Sequence, residues 1–218
     1  MYHLVESPVP AGAAPSLVVS PALFDAHMRG LRDAGWATIT AAQLSAALSA
    51  GARPAKQTVV ITFDDGHVDG YGNARPILQR YGFVGTFYMV TNRFGWSGYL
   101  TTDQARGMAA QGMEIANHTM DHADLASSSQ AKAQAQIAGA QDAINAVLGI
   151  RPATFAYPFG SYSSTTIGLV SQAGLGLAVT TVAGCAIWTG NRLTVPRIRV
   201  SPAMSARDLL AALMPCTG

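Results

Sequence analysis

The chain has 218 residues, of which 49% are hydrophobic and 12% are charged, and its formal net charge is +2 at pH 7. This length and composition fit one folded domain and exclude a disordered chain, a collagen and a small disulfide-stapled protein. The sequence has no run of basic residues and no uninterrupted apolar stretch of the roughly 18 residues that a membrane-spanning helix needs. We therefore expect neither a nucleic-acid partner nor a membrane span.

Short apolar segments rich in valine, isoleucine, phenylalanine and tyrosine alternate with alanine-rich segments along the chain. Several of the apolar segments are apolar on both faces, which is typical of parallel strands that are covered on both sides. We predict strands over residues 2–5, 58–63, 83–90, 113–117, 154–157, 177–181 and 197–200.

The segments between these strands have the spacing of amphipathic helices. Phe24, Met28 and Leu31 recur at helical intervals, and Thr40 with Gln43 predicts a capping box ahead of a second helix. About seven strands with intervening helices favour a closed or nearly closed α/β barrel, with a doubly wound open sheet as the alternative. We predict four more helices, over residues 77–81, 102–110, 128–148 and 164–173.

Metal-binding side chains follow two of the predicted strands. Asp64 and Asp65 come directly after strand 58–63, while His118 and His122 follow strand 113–117 in the motif HTMDH. Each motif alone also fits an ordinary turn or a pair of unrelated histidines. Together, at the carboxyl ends of strands, one carboxylate and two imidazoles make a metal site with open positions for water and substrate.

Two adjacent aspartates suit metal-assisted hydrolysis of an acyl group. One carboxylate can bind the metal while the other accepts a proton from water, whose pKa zinc can lower from about 15.7 to about 7. Strand 154–157 is followed by Pro158, Phe159 and Gly160, a combination that usually marks only a turn. At a strand end that faces a metal, the backbone N–H of Phe159 is also a candidate donor to an oxyanion.

Three motifs in this order, TFDDG, HTMDH and FAYPFG, resemble the first three motifs of the polysaccharide deacetylase family, carbohydrate esterase family 4. The segments NARPILQRYGFVGTFYMV and LTVPRIRV also resemble members, so the likeness extends over nearly the whole chain. It implies that residues 1–218 form a single NodB homology domain with a distorted (β/α)7 barrel fold.

The resemblance also implies a role for each matching residue. Asp64 corresponds to the catalytic base of the family. Asp65, His118 and His122 correspond to the three ligands of a divalent metal ion, for which zinc is our first expectation and cobalt, nickel or manganese are alternatives. Phe159 occupies the position whose amide binds the oxyanion.

Tyr157 and Phe159 are further candidates for lining the sugar-binding groove, with ordinary strand packing as the alternative. One position departs from the family pattern: the third motif most often carries an arginine that orients the base, and Ala156 stands there in this chain. Arg197, in the segment VPRIRV, can supply a guanidinium to Asp64 from another strand. A solvent-facing arginine is the alternative.

A second departure concerns the general acid. Many members carry this histidine in a leucine-x-histidine element near the C-terminus, but residues 201–218 include no histidine. His3, in MYHLV, is the expected replacement, because it resembles the YH opening of the branch that includes poly-N-acetylglucosamine deacetylases, as if the barrel were circularly permuted. An idle, frayed histidine is the alternative. We expect His67 in a rim loop, with a position bordering the site as the alternative, and we expect His27 in a structural role.

The expected function is metal-dependent removal of acetyl groups from an N-acetylglucosamine poly- or oligosaccharide of the chitin, peptidoglycan or poly-N-acetylglucosamine type. O-deacetylation of acetylated xylan and a catalytically silent carbohydrate-binding protein are the alternatives. We expect a monomer and, from the bulk of the substrate, an extracellular or cell-envelope location, although the chain shows no signal peptide. Cys185 and Cys216 form either a disulfide or two free thiols.

Overall fold

The structure is a computed structural model that describes residues 1–186 and 190–217. Its strands are β1 Leu4–Val5, β2 Val18–Val19, β3 Ala37–Thr38, β4 Thr58–Val59, β5 Thr62–Phe63, β6 Thr86–Met89, β7 Glu114–Asn117, β8 Thr154–Ala156, β9 Leu177–Ala183 and β10 Val195–Arg197. Its α-helices are α1 Pro21–Asp33, α2 Ala41–Ser49, α3 Arg75–Arg80, α4 Thr102–Ala109, α5 Gln130–Leu148, α6 Ser164–Gln172 and α7 Ala206–Leu213. A π-helix, Gly70–Ala74, directly precedes α3.

Six parallel strands form the main sheet, in the order β10-β9-β8-β7-β6-β5. The N-terminal segment, residues 1–3, lies between the two outermost strands of this sheet, β5 and β10. Tyr2 donates to the carbonyl of Thr62 at 2.8 Å, and the chain after β10 bonds Met1, with Val200 N–H donating to the Met1 carbonyl at 3.1 Å. The N-terminal segment therefore joins the first and last strands, and the prediction of a distorted α/β barrel is confirmed.

Stacked aromatic rings hold the N-terminal segment against the barrel. The rings of Phe63 and Phe87 are parallel with centroids 4.5 Å apart, and Tyr2 stacks on Phe63 at 5.6 Å. Phe24, from α1, meets Tyr2 edge-on at 5.0 Å. All four rings are almost completely buried. Burial of an aromatic ring contributes a large apolar area, so this cluster fixes the position of residues 1–3 beside β5.

Most predicted elements are present, with shifted ends. The predicted strand 58–63 is two strands, because β4 pairs with β3 outside the main sheet and β5 pairs with β6 inside it. The predicted strand 197–200 was placed too late, since β10 ends at Arg197 and the following residues bond Met1. The sequence analysis did not predict β2, β3 or α7. The first two are only two residues long, whereas α7 has a capping box of Ser205 and Asp208.

Cys185 and Cys216 form a disulfide, which decides between the two alternatives that the sequence left open. The bond ties the chain just after β9 to the short turn of helix that follows α7. Among the described residues, no helix combines the length and apolar character that are needed to cross a membrane.

His27 joins three parts of the fold and is fully buried. Its Nε2 lies 2.7 Å from the carbonyl oxygen of Met204, which can only accept, so Nε2 carries the hydrogen. Nδ1 therefore accepts from the hydroxyl of Tyr2 at 3.1 Å. Burial lowers the pKa of His27, although the bond to Met204 opposes this shift. The ring is thus a neutral structural link between α1, the N-terminal segment and the chain before α7.

We predict that His27 makes stability depend on pH. Its pKa is lower in the folded chain than the ordinary 6.5, so the unfolded chain binds the proton more readily and stability falls as the pH drops below about 6.5. In His27→Gln this contribution is absent. Urea unfolding of both proteins at several values between about pH 5 and 7 gives the free energy of unfolding at each pH. This free energy should change less with pH in the variant, by at most about 1.4 kcal/mol per pH unit. Equal slopes would contradict this prediction.

Candidate active site

The predicted site residues come together at the carboxyl ends of the barrel strands. Parallel strands of a barrel present their carboxyl ends, and the loops after them, at one face. β5 leads into Asp64 and Asp65, β7 into His118 and His122, β8 into Phe159, β10 ends with Arg197, and the N-terminal segment supplies His3.

Asp65, His118 and His122 form a compact cluster. The Oδ1 atom of Asp65 lies 3.4 Å from Nε2 of His118 and 3.2 Å from Nε2 of His122. One ligand atom from each residue lies within 4.8 Å of the others. Two imidazole nitrogens and one carboxylate oxygen match the donor set of a catalytic zinc site.

The hydrogen bonds around this cluster fit a cation. Nδ1 of His118 donates to the carbonyl of Ala156 at 2.7 Å, so its Nε2 directs a lone pair at Asp65. Within residues 1–186 and 190–217, the buried Oδ1 of Asp65 has no hydrogen-bond partner. A lone pair and a carboxylate oxygen repel each other unless a proton or a cation lies between them. These three residues therefore fit a divalent metal ion.

The same groups affect one another's ionisation. Burial alone would raise the pKa of Asp65, but the facing imidazoles of His118, His122 and His67 hold it well below its ordinary range. Burial alone would lower the pKa of His118, but Asp65 and Asp64 raise it. The carboxylate of Asp65 is therefore ionised, as a metal ligand must be.

Strained backbone is concentrated at this site. Asp65, Thr119, His122 and Phe159 have φ values of 76°, 68°, 59° and 60°, and they are four of the five non-glycine residues with positive φ in the part of the chain that the structure describes. Such conformations cost about 1–3 kcal/mol each and persist only where the surroundings enforce them. The positions of the site side chains therefore depend on supporting contacts.

Helix α5 supplies support for the loop that carries both histidines. Oε1 of Gln136 accepts from the backbone N–H of Met120 and Asp121, at 3.1 and 3.0 Å. Nε2 of the same residue donates to the carboxylate of Asp121 at 2.7 Å. Asn117, at the end of β7, donates to the carbonyl of Ile137 at 2.9 Å. Sequence reasoning missed Gln136 and Asn117, because nothing local marks an amide that binds a loop packed against it.

Asp64 forms a buried ion pair with Arg197. Two bonds join the guanidinium to the two carboxylate oxygens, at 2.8 and 2.7 Å. Arg197 also donates from Nε to the carbonyl of Thr180 at 2.8 Å. Burial alone would raise the pKa of Asp64, but the charge and hydrogen bonds of Arg197, with smaller effects of His118 and His3, lower it to about 2. Arg197 thus faces Asp64 rather than solvent.

His3 lies beside Asp64 on the neighbouring segment. The backbone N–H of Asp64 donates to the carbonyl of Tyr2 at 3.1 Å, which places the next residue, His3, at the edge where the aspartates lie. Partial burial lowers the pKa of His3, while Asp64 and Asp65 oppose this shift. The structure therefore brings the proposed acid and base to one place.

Phe159 is at the rim, whereas Tyr157 is in the core. The Phe159 side chain is 64% exposed, and its ring meets that of His122 at 4.5 Å. Its backbone N–H donates to no acceptor among the described residues, so it remains open to a ligand. The Tyr157 side chain is fully buried and packs edge-on against Phe155. This burial corrects the expectation that Tyr157 lines the sugar groove.

Gly160 fixes the turn that exposes the Phe159 amide. Its φ is 72°, and a Cβ there would clash with the backbone N and the Oγ1 of Thr181. The same Oγ1 donates to the carbonyl of Phe159 at 3.1 Å. The glycine therefore lets the turn approach β9 closely.

His67 lies beside Asp65, one of the three candidate metal ligands. Its Nε2 lies 3.8 Å from the second carboxylate oxygen of Asp65, and its ring stacks on Tyr99 at 4.8 Å. The loop that carries Tyr99 is also bonded to Gly66, through the backbone N–H of Leu100 at 3.0 Å. His67 thus borders the site, which is the alternative that the sequence left open.

Comparison with known proteins agrees with the geometry. The sequence profile described as polysaccharide deacetylase matches residues 51–178. The chain belongs to the polysaccharide deacetylase family. A putative polysaccharide deacetylase of Bacillus subtilis, YxkH, is 33% identical over 205 residues, which are 94% of this chain and 71% of that protein. These matches confirm the resemblance drawn from the three motifs.

Two further relatives support the branch that the sequence indicated, the one that includes poly-N-acetylglucosamine deacetylases. The deacetylase PplD of Streptococcus pyogenes, solved in complex with acetate, has a TM-score of 0.91 and 32% identity, covering 99% of this chain and 96% of its own. The poly-β-1,6-N-acetyl-D-glucosamine N-deacetylase of Staphylococcus epidermidis is 27% identical over 160 residues, 67% of this chain and 55% of its own. The chain is therefore a hydrolytic polysaccharide deacetylase.

We predict that Gln136→Ala weakens metal binding about 10- to 100-fold, because the histidine loop then loses the three bonds that hold it to α5. Calorimetric titration of the metal-free protein with Zn²⁺ measures this change in affinity without any assay of activity. Gln134→Ala is the matched control, since Gln134 is exposed on the same helix. Equal affinities for the two variants would refute a supporting role for Gln136.

Proposed function

We propose that this enzyme removes acetyl groups from N-acetylglucosamine units of a poly- or oligosaccharide, with one divalent metal ion, zinc by first choice, held by Asp65, His118 and His122. The observation that carries the proposal is the ion pair of Asp64 with Arg197 beside this cluster. A buried carboxylate that is ionised, yet stands outside the ligand set, is what a general base in metal-assisted hydrolysis requires. The metal would polarise the acetyl carbonyl and lower the pKa of water.

Asp64 is the proposed base. It accepts a proton from water as the oxygen of that water attacks the acetyl carbon. Arg197 keeps Asp64 ionised and fixes both of its oxygens, so the carboxylate has one orientation when the proton arrives. The third motif's usual arginine is replaced by Ala156, and Arg197 reaches the same carboxylate from β10.

Phe159 and His3 are assigned the remaining steps. The open N–H of Phe159 stabilises the negative charge that develops on the carbonyl oxygen. His3, in its protonated form, donates to the sugar nitrogen as the carbon–nitrogen bond breaks, which avoids release of an amine anion. The products are acetate and a free amino sugar.

Two observations support a polymeric amino-sugar substrate. Relatives of this chain are named for chitin and for poly-β-1,6-N-acetyl-D-glucosamine. Phe159, which is 64% exposed, contacts His122, and Tyr162, three residues further along the same loop, is 38% exposed. Such rings suit packing against a sugar. We propose that the enzyme acts on extracellular or cell-envelope polysaccharide.

We predict that Asp64→Asn lowers kcat by about 10² to 10⁴-fold while Zn²⁺ affinity changes little, because the amide cannot accept the proton and Asp64 is not a ligand. The change leaves Arg197 without a charged partner, which can destabilise the fold by about 3–5 kcal/mol. The double variant Asp64→Asn/Arg197→Gln removes that buried charge, and melting curves show whether each protein is folded. A folded variant with normal turnover would exclude Asp64 as the base.

We predict that His3→Ala lowers turnover of a chitin oligomer by about 10²-fold or more but barely affects p-nitrophenyl acetate. The amine needs a proton to leave, whereas nitrophenolate leaves without one. Acetate release from the oligomer and absorbance of nitrophenolate give the two rates, and acetylated xylan serves as a third substrate. A variant that loses both activities equally would show that His3 is not a general acid, and a preference for xylan would favour O-deacetylation.

A further inference from the structure

His3 lies at a bend, and the residue before it is held by the sheet. Tyr2 donates its backbone N–H to Thr62 at 2.8 Å and accepts from Asp64 N–H at 3.1 Å. These two bonds fix the chain up to the bend. After the bend, β1 pairs in parallel with β2, and Glu6 N–H donates to the carbonyl of Val19 at 3.0 Å. This pairing holds one edge of β1 and does not use the backbone N–H and carbonyl of Val5, which face the other edge.

Two side chains hold the backbone after the bend. Asp69 Oδ2 accepts from the backbone N–H of Val5 at 2.5 Å, and Asn73 Nδ2 donates to the backbone carbonyl of Val5 at 2.8 Å. Val5 itself is fully buried. On the edge of β1 that β2 does not cover, both polar groups of the Val5 backbone are thus satisfied by side chains instead of a second neighbouring strand. β5 cannot do so, because the chain turns away from the sheet at Asp64 and Asp65.

These two side chains come from the stretch that carries the catalytic aspartates. Asp69 directly precedes the π-helix Gly70–Ala74, and Asn73 lies within it. A π-helix is a rare, wide turn that occurs mostly at functional sites. The carboxylates of the DDG motif and the anchor of the His3 segment are therefore parts of one short structural unit.

The environment of Asp69 is costly for stability. The residue is only 4% exposed, and among the described residues its Oδ1 atom is buried without a hydrogen-bond partner. An unpaired buried polar atom costs about 1–3 kcal/mol. Packing alone does not account for a carboxylate in this position, whereas its bond to Val5 does.

We propose that Asp69 and Asn73 are positioning residues that hold His3 beside Asp64 by clamping the backbone of Val5. The inference rests on the proposed role of His3 as the general acid. A general acid must stay within hydrogen-bond reach of the leaving nitrogen, and a displacement of about 1 Å can cost about 10²-fold in rate. Loss of the clamp should therefore impair only the step that needs the acid.

The test compares a chitin oligomer with p-nitrophenyl acetate. Asp69→Leu and Asn73→Leu should each lower kcat on the oligomer by about 10- to 100-fold and leave the ester rate within about 3-fold of the parent enzyme. Asp69→Asn retains an acceptor for the Val5 N–H and should recover most of the oligomer activity. Thr38→Val is the control, because it removes a similar bond, to Val84 N–H at 2.8 Å, away from the N-terminal segment. It should not change the ratio of the two rates.

A double-mutant cycle with His3→Ala separates positioning from general stability. In the His3→Ala background, neither Leu variant should lower oligomer turnover further. Additive losses, or equal losses on both substrates, would mean that the clamp is merely structural. Asn73 is partly exposed, so Asn73→Leu carries the test if Asp69→Leu does not fold.

The controls distinguish failure of this proposal from failure of the proposed function. If His3→Ala lowers the ratio of oligomer to ester turnover but neither Leu variant does, only the clamp is refuted. If His3→Ala itself leaves the ratio unchanged, the general-acid assignment fails and the clamp fails with it.

Discussion

Asp64 and Arg197 are 133 positions apart in the chain, and the barrel brings them into a two-bond ion pair that is almost fully buried. Removal of either partner would leave an unpaired charge in the interior. The ion pair can therefore form only when β5 and β10 are both in place. The N-terminal segment lies between those strands and carries His3. Closure of the barrel therefore also brings His3 and Asp64, the proposed acid and base, together.

Asp64 and Asp65 are adjacent in the chain but have different surroundings, which suits the different roles proposed for them. Asp64 points into the barrel towards a guanidinium, whereas Asp65, with its positive φ, turns towards two imidazoles. Neighbouring carboxylates in unlike environments are a general means of dividing labour at an active site. The strain at Asp65 and His122 is balanced by bonds from elements outside the site, such as those of Gln136 on α5.

Local sequence was sufficient to predict much of the fold. Six amphipathic helices and most strands lie where the periodicity and capping residues placed them, as with the capping box of Thr40 and Gln43. The errors fall where a strand is defined by its partner. The segment 58–63 has one continuous pattern, but its two halves pair with different sheets. Likewise, Tyr157 follows the pattern of a groove residue, and only packing against Phe155 shows that it is core.

The sequence by itself determined which kinds of chemistry are available. The motifs DDG, HTMDH and PFG, in that order along the chain, contain the candidate base, the candidate metal ligands and the candidate oxyanion donor. It also identified the missing arginine at Ala156 and the unusual position of His3. Only the tertiary structure decided that Arg197 meets Asp64, that Gln136 supports the histidine loop, and that Val5 is clamped beside the site. Each of these contacts joins residues whose separation is set by strand order and closure of the barrel, and no local pattern encodes such a distance.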